Sequence, residues 1–542
     1  MTEMSVAAQQ DEQPYDAIFV GAGINGLVGA ALLAKHGWRV LVLERSDWLG
    51  GAIRTIRTEA GFETELMSCW HGQFLGSPGY RELRDDLEKH GLRYVNTDKP
   101  MAVVTPDGRS LMLTTDHATN AARFEALKPG EGRAWDGAVG TLFAQAPDLL
   151  GIRDRYPWSA NAARWAWGVY RRQGRSRSLV LLGSLLVSAR NWVAENFSDP
   201  LIGALLAPWA LHGTGGPDEA GSATVVRAAT VFMEAAGQPL PVGGGKALPT
   251  ALAAIIESHG GRCLTGVDVE QIWVKGKRAK GVVAGRQRWS ARRAVICSVT
   301  TSQLYSRLLT NQEVPDELRE QSKKIRRGLA IMQIAFSLER KLDWAVPDDL
   351  SKVGVIHITS DVDAISRAAN EGLRGLLPAE PTICVGQPMA LDPSRGPEGT
   401  SQLWVQLLDV PSIPVGDAAG EIVVTDGWTE DVRNAFADRI QRQLSRHLPG
   451  LDTAIIERIV MSPADLEAAN INLIGGSVSG GATDLDQMLL LRPSPYAPAP
   501  YTPFRQLYHI GASTHPGGSL YAGSGVLIAD MLRRRRWPFR LP

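Results

Sequence analysis

The sequence predicts an α/β fold, and three separated stretches of the chain support that prediction. Each stretch places short apolar, strand-like runs next to a glycine-rich turn and a helix-forming segment, near residues 15–44, 239–299 and 507–533. Strands and helices that alternate in this way build a parallel sheet with helices on its faces. Because long inserts separate the stretches, we expect a Rossmann-like domain assembled from discontinuous segments, plus a mixed-sheet domain with a helical cap.

The first stretch indicates a strand, a helix and a second strand within thirty residues. Tyr15–Val20 and Trp38–Leu43 are apolar, β-prone runs, and Gly21–Gly37 between them has Ala and Leu at helical spacing after its first glycines. Gly37 is a plausible C-cap for that helix. The pattern is that of a βαβ unit.

The second and third stretches repeat this order. After Pro239 come a glycine turn, a helix over about 248–259, β-prone runs around 263–274 and 281–284, and an apolar strand at 294–299. The third stretch has a strand at Leu507–Ile510 and a glycine turn that opens a helix. We expect both stretches to belong to the same discontinuous domain as the first.

Composition excludes several classes of protein. The chain has 542 residues, of which 44% are hydrophobic and 21% charged, so it is neither disordered nor collagen-like. Its 57 basic and 57 acidic residues balance, which gives no overall attraction to nucleic acid. The four cysteines lie far apart without a CxxC motif, which argues against a disulfide scaffold, a thiolate zinc site and a dithiol redox enzyme. We expect no metal site.

The scattered cysteines suggest a reducing, cytoplasmic setting, and the start of the chain and its apolar runs suggest a soluble protein. The first fourteen residues are polar and acidic, and they lack the basic start and apolar core of a signal peptide. The longest apolar run, Leu179–Ala189, is too short to cross a bilayer.

The strongest motif is Gly21-x-Gly23-x-x-Gly26, between the first predicted strand and helix. Gly21 permits a tight turn, Gly23 lets the backbone approach a diphosphate, and Gly26 lets the helix pack on the strand. Glu44, 18 residues beyond Gly26, stands where a carboxylate binds ribose hydroxyls, and it disfavours NADP. The motif therefore predicts a dinucleotide site, with a glycine-rich turn of an unrelated α/β domain as the alternative. These residues alone do not choose between FAD and NAD.

A resemblance to a known family favours FAD over NAD. The GxGxxG and Glu44, followed by Gly50-Gly51 and Arg54, resemble the phytoene desaturase and amine oxidase superfamily of FAD enzymes. The stretch 511–530, GASTHPGGSLYAGSGVLIAD, is similar to the closing motif of phytoene desaturase-like proteins, in which a helix starts beside the isoalloxazine. The stretches 241–252 and 475–495 fit the same group, the latter its carotenoid ketolase-like subgroup.

The resemblance implies FAD as cofactor and a set of residues that contact it. Val269 is expected to lie near the adenine through its backbone, with a plain core valine as the alternative. The expected FAD contacts are Gly21, Gly23, Gly26, Glu44, Arg45, Gly50, Gly51, Arg54, Val269, Gly511, Gly518, Ser524, Gly525 and Val526. The expected segments are 14–100, 239–300 and 501–542 for the FAD-binding domain, 101–238 for the substrate or cap insert, and 301–500 for the substrate domain.

Three residues are candidates for acid–base chemistry. His515 and Tyr521 lie in the loop before the last helix, close to the flavin by resemblance, and His71 follows the Gly-Gly-Arg segment. A carbonyl substrate would need such a donor or base, whereas a polyene would need no strong base. Each of the three also has a structural interpretation, as a loop hydrogen-bonder or a packed ring.

The function we expect is an FAD-dependent dehydrogenase that desaturates an apolar or cyclic carbon skeleton by hydride transfer to flavin N5. The partners are then a hydrophobic small molecule and an electron acceptor, which is oxygen, a quinone or another carrier. The alternatives are a carotenoid-type ketolase or isomerase, a non-catalytic flavin-binding protein and an amine oxidase.

The middle insert and the tail suggest peripheral contact with a membrane. Five tryptophans lie between Trp158 and Trp209, interleaved with arginines and next to the apolar run Leu179–Ala189. They suit either an interfacial helix pair or a helical cap whose aromatic stripe packs inward. The basic tail 533–542 suits either anionic lipid or the end of a helix dipole.

Overall fold

The computed structural model describes residues 13–213 and 215–534. Of the basic tail, residues 535–542 lie outside that range. Among the described residues the strands are β1 Tyr15–Val20, β2 Val40–Leu43, β3 Thr55–Arg57, β4 Glu63–Glu65, β5 Tyr94–Val95, β6 Met101–Val104, β7 Ser110–Leu113, β8 Leu240–Pro241, β9 Arg262–Leu264, β10 Gln271–Lys275, β11 Arg278–Ala284, β12 Gln287–Ser298, β13 Ala330–Leu338, β14 Val355–Ile358, β15 Leu376–Leu377, β16 Ile383–Gly386, β17 Ser401–Val410, β18 Gly416–Asp417, β19 Ile455–Met461 and β20 Leu507–Ile510.

The α-helices connect and cover these strands. They are α1 Ile24–Lys35, α2 Gly72–Leu75, α3 Pro78–Lys89, α4 His117–Leu127, α5 Glu131–Arg153, α6 Ala160–Ser184, α7 Ala189–Asn196, α8 Pro200–Leu206, α9 Ser222–Ala236, α10 Ala247–Ser258, α11 Asp316–Lys323, α12 Val362–Leu373, α13 Glu430–Ser445, α14 Leu451–Ala454, α15 Pro463–Ala469 and α16 Gly523–Arg533. A 3-10 helix follows α8 at Ala207–His212.

The first sheet is built from all three stretches that the sequence singled out. Parallel strands lie in the order β9, β2, β1, β12 and β20. The first half of the long β12 also pairs antiparallel with β11, which pairs with β10. The α/β fold class, with a Rossmann-like sheet of discontinuous segments, is confirmed.

The second sheet is mixed and lies in the inserts. Its order is β19, β13, β17, β16, β14, β6 and β7, and only β14 and β6 pair in parallel among these neighbours. One face packs on α13 through Phe436 and Ile440. The other face packs on the helical cap, in a cluster that includes Trp135 and Leu205.

Helix α1 is the most enclosed helix of the first domain. Apart from Lys35 at its end, its residues are buried, because Ala, Gly and Leu leave little polar surface on any side. It lies between the sheet, α10 and the C-terminal helix α16. Gly525 of α16 lies so close to α1 that a Cβ there would stand 2.1 Å from the carbonyl oxygen of Asn25. Helices α1 and α16 therefore meet backbone to backbone.

The tryptophans of the helical cap divide between its core and its surface. Trp192 and Trp209 are buried in the cap's core, as an inward-packed stripe requires. Trp158 and Trp167 are 56% and 62% exposed, and Val180 of α6 points outward at 66% exposure. Among the described residues, the structure has no helix with enough length and apolar character to cross a membrane.

We expect Gly525→Ala to destabilise the protein by about 1–3 kcal/mol, because the added methyl group overlaps the backbone of α1. Gly140→Ala is the matched control, since Gly140 lies in α5 with open space around its Cα among the described residues. There alanine favours the helix by roughly 0.5–1 kcal/mol. Thermal unfolding of the two variants checks this, and equal melting temperatures would contradict the close helix contact.

Candidate functional site

One large cavity opens at the carboxyl ends of the parallel strands. It has a volume of about 830 Å³ and is lined by Val20, Leu43 and Ser298, the last residues of β1, β2 and β12. Ligands of open α/β sheets bind at this edge. From there the cavity continues between the second sheet and the cap helices, so both domains share one space.

The glycine turn forms the inner end of this cavity. Gly21 has φ +95°, and a Cβ there would meet the carbonyl oxygen of Ser298 at 2.7 Å. Gly23 lines the cavity, and a Cβ at this position would meet no atom of the described chain within 4 Å. Gly23 is also the N-cap of α1, and no described side chain caps this helix. Backbone N–H groups of the first turn therefore face open space, which is the arrangement that binds a diphosphate.

Gly50 and Gly51 close the other side of the turn. Gly50 has φ +118° and donates its N–H to the carbonyl oxygen of Ala22 at 2.9 Å. A Cβ on Gly51 would lie 3.0 Å from Cα of Gly23. The two glycine pairs thus form one backbone cradle, and both line the cavity.

Glu44 is held at the edge of this cradle by two backbone donors. Its Oε2 accepts from the N–H of Ala22 at 2.8 Å, and its Oε1 accepts from the N–H of Ser46 at 2.9 Å. Each carboxylate oxygen has a further lone pair for a ligand hydroxyl. The carboxylate is fixed where the sequence expects the ribose.

Two further expected FAD contacts lie on the cavity wall. Arg45 is exposed at its mouth, and Val269 lines it while its side chain packs in the core. The carbonyl oxygen of Val269 accepts from Nη2 of Arg307 at 2.7 Å, and the same guanidinium pairs with Asp268 at 2.5 Å. Arg307 therefore fixes the backbone of Val269, the part of that residue expected to face the adenine.

Five expected FAD contacts lie behind the wall rather than on it. A Cβ on Gly26 would meet the oxygen of Gly21 at 2.5 Å, so Gly26 supports the turn from behind. Arg54 stacks on the Trp48 ring at 3.8 Å instead of pointing to the cavity. Ser524, Gly525 and Val526 are also absent from the described lining, because the first turn of α16 faces α1.

The loop between β20 and α16 lines the cavity, whereas the first turn of α16 does not. Gly511 and Gly518 line the cavity, as do His515 and Tyr521. A Cβ on Gly518 would lie 2.4 Å from the carbonyl oxygen of Val478, so this position needs glycine. The loop between β20 and α16, rather than the helix itself, forms the wall where the resemblance places the flavin.

The end of α5 clamps this loop, a contact that no motif in the sequence indicates. Arg153 lies over the Tyr521 ring at 3.4 Å, and the Tyr521 hydroxyl donates to Asp154 at 2.7 Å. Arg153 and Asp154 belong to an insert far from Tyr521 in the sequence, and no local motif predicts that they contact it. Arg153 itself lines the cavity, and burial lowers its pKa.

His515 is held by the same helix. Its Nε2 lies 3.2 Å from the carbonyl oxygen of Arg153, and because a carbonyl only accepts, Nε2 carries the proton. Burial lowers the pKa of His515 to about 4. The imidazole is therefore neutral at pH 7 and a weak base.

Tyr521 and His71 are also held by hydrogen bonds to neighbouring side chains. Burial, followed by the hydrogen bond to Asp154, raises the pKa of Tyr521, so its phenol stays protonated. His71 is fully buried, and its Nδ1 lies 3.1 Å from the hydroxyl of Tyr94. Burial, followed by the charge of Arg395, lowers the pKa of His71 to about 3, and this ring is not part of the described cavity wall.

A buried ion pair behind the cradle is a second feature that the sequence did not reveal. Nη1 of Arg395 lies 2.9 Å from Oε1 of Glu65, and both side chains are fully buried. The same Glu65 oxygen accepts from the N–H of Gly245 at 2.6 Å. A Cβ on Gly245 would lie 3.0 Å from the other Glu65 oxygen, so the close approach of Glu65 accounts for glycine at this position without a bound phosphate.

The residues present fit an adenine dinucleotide. The cradle at Gly23 offers open backbone, an uncapped helix N-terminus attracts phosphate, and Glu44 offers acceptors to ribose hydroxyls. The loop that includes His515 and Tyr521 lies at the other part of the same cavity. One continuous space thus runs from the expected diphosphate site to the expected flavin site.

We expect Glu44→Ala to weaken FAD binding by about 10- to 100-fold, because charge-assisted hydrogen bonds contribute about 1.5–3 kcal/mol. Asp47→Asn is the matched control, since Asp47 is an exposed carboxylate three residues away. Titration of the flavin-free protein with FAD gives both dissociation constants. Equal affinity in the Glu44 variant and the control would remove Glu44 from the site.

Several curated proteins are similar to this chain over nearly its whole length. The chain is 26% identical over 562 aligned residues to pyridine nucleotide-disulfide oxidoreductase domain-containing protein 2 of Rattus norvegicus, covering 96% of this chain and 93% of the relative. It is 24% identical to a limonene dehydrogenase subunit of Castellaniella defragrans and 23% identical to the neurosporene-forming phytoene desaturase of Rhodobacter capsulatus, each covering 95% of this chain and 93% of the relative. These relatives confirm the predicted resemblance to phytoene desaturases.

Solved structures and a family model complete the comparison. An oxidoreductase from Methanosarcina mazei has the same fold, with a TM-score of 0.60 at 15% identity over 96% of this chain and all of that chain. A family model described as flavin containing amine oxidoreductase matches residues 24–518. With that match over most of its length, the chain belongs to the flavin-containing amine oxidoreductase family, whose members are FAD-dependent enzymes.

Proposed function

We propose that the protein dehydrogenates an apolar carbon skeleton. The supporting observation is that the cavity beyond the flavin loop is walled mainly by hydrophobic side chains. They come from both the cap and the second sheet, and include Leu142, Leu149, Val225, Phe232, Ile331 and Leu408. A hydrocarbon that fills this space gains about 25 cal/mol for each Å² of apolar surface removed from water.

The three acid–base candidates favour the same class of substrate. His515 is neutral, Tyr521 keeps its proton, and His71 is buried outside the cavity wall. A substrate that must first lose a proton to a strong base would find no such base among these three. In the proposed order a hydrocarbon loses hydride first. Its neighbouring C–H bond then becomes acidic, so a weak base is sufficient to remove the proton in the second step.

The proposed reaction removes two hydrogens from adjacent carbons. FAD held by the glycine turn and Glu44 would supply the hydride acceptor, flavin N5, which takes one hydrogen with both electrons of its C–H bond. The other hydrogen would leave as a proton to a weak base, and the electrons of its C–H bond would form the new double bond. His515 and Tyr521 act as positioning residues that hold the loop at 511–521 against α5. An electron acceptor, which is oxygen, a quinone or another carrier, then reoxidises the flavin.

The names of two relatives support this substrate class. Limonene dehydrogenase and phytoene desaturase are both named for the oxidation of hydrocarbons. The rival functions are a ketolase or isomerase, an amine oxidase, and a flavin-binding protein without catalysis. Each rival predicts a different response of the bound flavin.

We expect anaerobic reduction of the flavin by carotenoid or terpenoid hydrocarbons, and no reduction by amines. Ala228→Arg should keep normal FAD content and slow this reduction at least about 10-fold, because it places a charged side chain on the apolar wall of the cavity. Ala235→Arg on the same helix is the control, since Ala235 is exposed away from this cavity. Stopped-flow absorbance at the flavin band measures all three proteins.

The rival functions give distinct results in the same experiment. Reduction by amines would indicate an amine oxidase. Isomerisation that appears only after chemical reduction of the flavin would indicate an isomerase. No reduction by any hydrocarbon, ketone, carboxylate or amine would contradict dehydrogenation altogether.

We also propose that the protein takes its substrate from a lipid surface. Exposed apolar side chains lie on α6 and just before it, and we call them the apolar rim: Trp158, Trp167, Tyr170, Leu179, Val180 and Leu182. The Trp158 indole donates to the carbonyl oxygen of Leu490 at 2.8 Å, which places Trp158 beside residues 485, 488 and 489 of the cavity wall. Exposed arginines at 171, 172, 175 and 177 of the same helix suit anionic headgroups.

We expect the protein to float with vesicles that contain anionic lipid. The double variant Val180→Asp/Leu182→Asp should reduce the bound fraction at least about 10-fold, because it removes two apolar anchors and adds negative charge. Val423→Asp is the control, since Val423 is 82% exposed outside the apolar rim. Equal flotation of both variants would exclude this rim as the contact surface.

A further inference from the structure

Two histidines and a cysteine meet behind the cavity wall, away from the expected FAD site. His212, His357 and Cys384 each offer one ligand atom, and these atoms all lie within 4.8 Å of one another. The residues are far apart in the sequence, so their spacing carries no signal of the cluster. His212 lines the cavity, while His357 and Cys384 are almost completely buried.

The fold places these residues together through strand register. His357 of β14 and Cys384 of β16 are directly opposite partners in an antiparallel pair. Directly opposite residues point to the same face of a sheet, with Cβ atoms about 4.5–5.5 Å apart. His212 is the last residue of the 3-10 helix Ala207–His212, which packs on this face from the cap.

The spacing of the histidines matches two ligands of one ion. Their Nε2 atoms lie 3.3 Å apart. Two imidazole nitrogens bound at ~2.0–2.1 Å to one tetrahedral zinc ion are ~3.3–3.4 Å apart. A direct hydrogen bond between two neutral rings gives a similar distance, so a second observation is needed.

That observation is the thiol of Cys384, because its Sγ and one nitrogen of each ring all lie within 4.8 Å of one another. A hydrogen bond between the two rings involves only two of these groups, whereas a shared ion takes all three as ligands.

We propose that His212, His357 and Cys384 bind a zinc ion. Two imidazoles and one thiolate form a ligand set of borderline softness, which suits zinc better than calcium or magnesium. Three protein ligands leave one coordination position, for water or for a polar group of a molecule in the cavity. The sequence predicted no metal site because its cysteines form no local metal-binding motif. The three residues of this cluster are distant in the sequence and meet only in the folded chain.

Neighbouring aromatic contacts hold the ligand rings in place. Trp209 stacks on His212 with ring centroids 4.5 Å apart and meets the His357 ring edge-on at 5.1 Å. Its indole N–H points to the sulfur of Met101 at 2.9 Å. A zinc ion here would tie the cap's 3-10 helix to the second sheet across the cavity wall.

Metal analysis of the full-length holoprotein tests the proposal. After growth with added zinc we expect about one zinc per chain, and less than about 0.1 in Cys384→Ser and His357→Ala. Cys69→Ser is the matched control, because Cys69 is another buried free cysteine in the same core cluster. FAD content, read from the flavin absorbance, shows which variants are folded.

Cobalt substitution gives a second result that does not depend on the variants. Cobalt bound tetrahedrally by the wild-type protein should absorb at wavelengths longer than the flavin bands, and added zinc should remove that absorbance. Zinc should also raise the melting temperature of the metal-free protein. Wild-type protein that holds neither zinc nor cobalt, or a folded Cys384→Ser that keeps full zinc content, would overturn the proposal. Neither result depends on the substrate proposed above.

Discussion

The fold depends on the contact between its first and last helices. Ser524 donates to the side-chain oxygen of Asn25 at 2.8 Å and accepts from the N–H of Gly511 at 3.0 Å. Gly525 and Gly29 allow the two helices to approach until backbone atoms touch. Because α1 follows the turn expected to bind the diphosphate and α16 follows the loop expected to face the flavin, this contact sets the distance between the two ends of the proposed cofactor site.

The cavity has a polar part and an apolar part. Backbone N–H groups and Glu44 line the polar part, and side chains of the cap and of the second sheet line the apolar part. The acid–base candidates lie between or behind these parts and serve as hydrogen-bonded supports. Chemistry in such a site comes from the cofactor, while the protein contributes position, an apolar environment and exclusion of water.

The first domain could be predicted well because its signals are local in the sequence. Strand, glycine turn, helix and carboxylate lie within thirty residues, and Tyr15–Val20 and Leu507–Ile510 appear as expected. The sequence could not show that Ser524 to Val526 face α1, since that depends on how two distant helices pack. Arg153, Arg395 and the cluster around His357 escaped prediction for the same reason, because only the tertiary fold brings their partners close.

The most direct test of this account is an experimental structure of the FAD-loaded protein. The account predicts the diphosphate within hydrogen-bond distance of the backbone at Gly23 and the first turn of α1, and the isoalloxazine ring against the loop 511–521. Both parts of FAD would then occupy the one cavity that is lined by the glycine turn and by the loop 511–521. A flavin bound elsewhere, or a diphosphate without contact to the glycine turn, would contradict it.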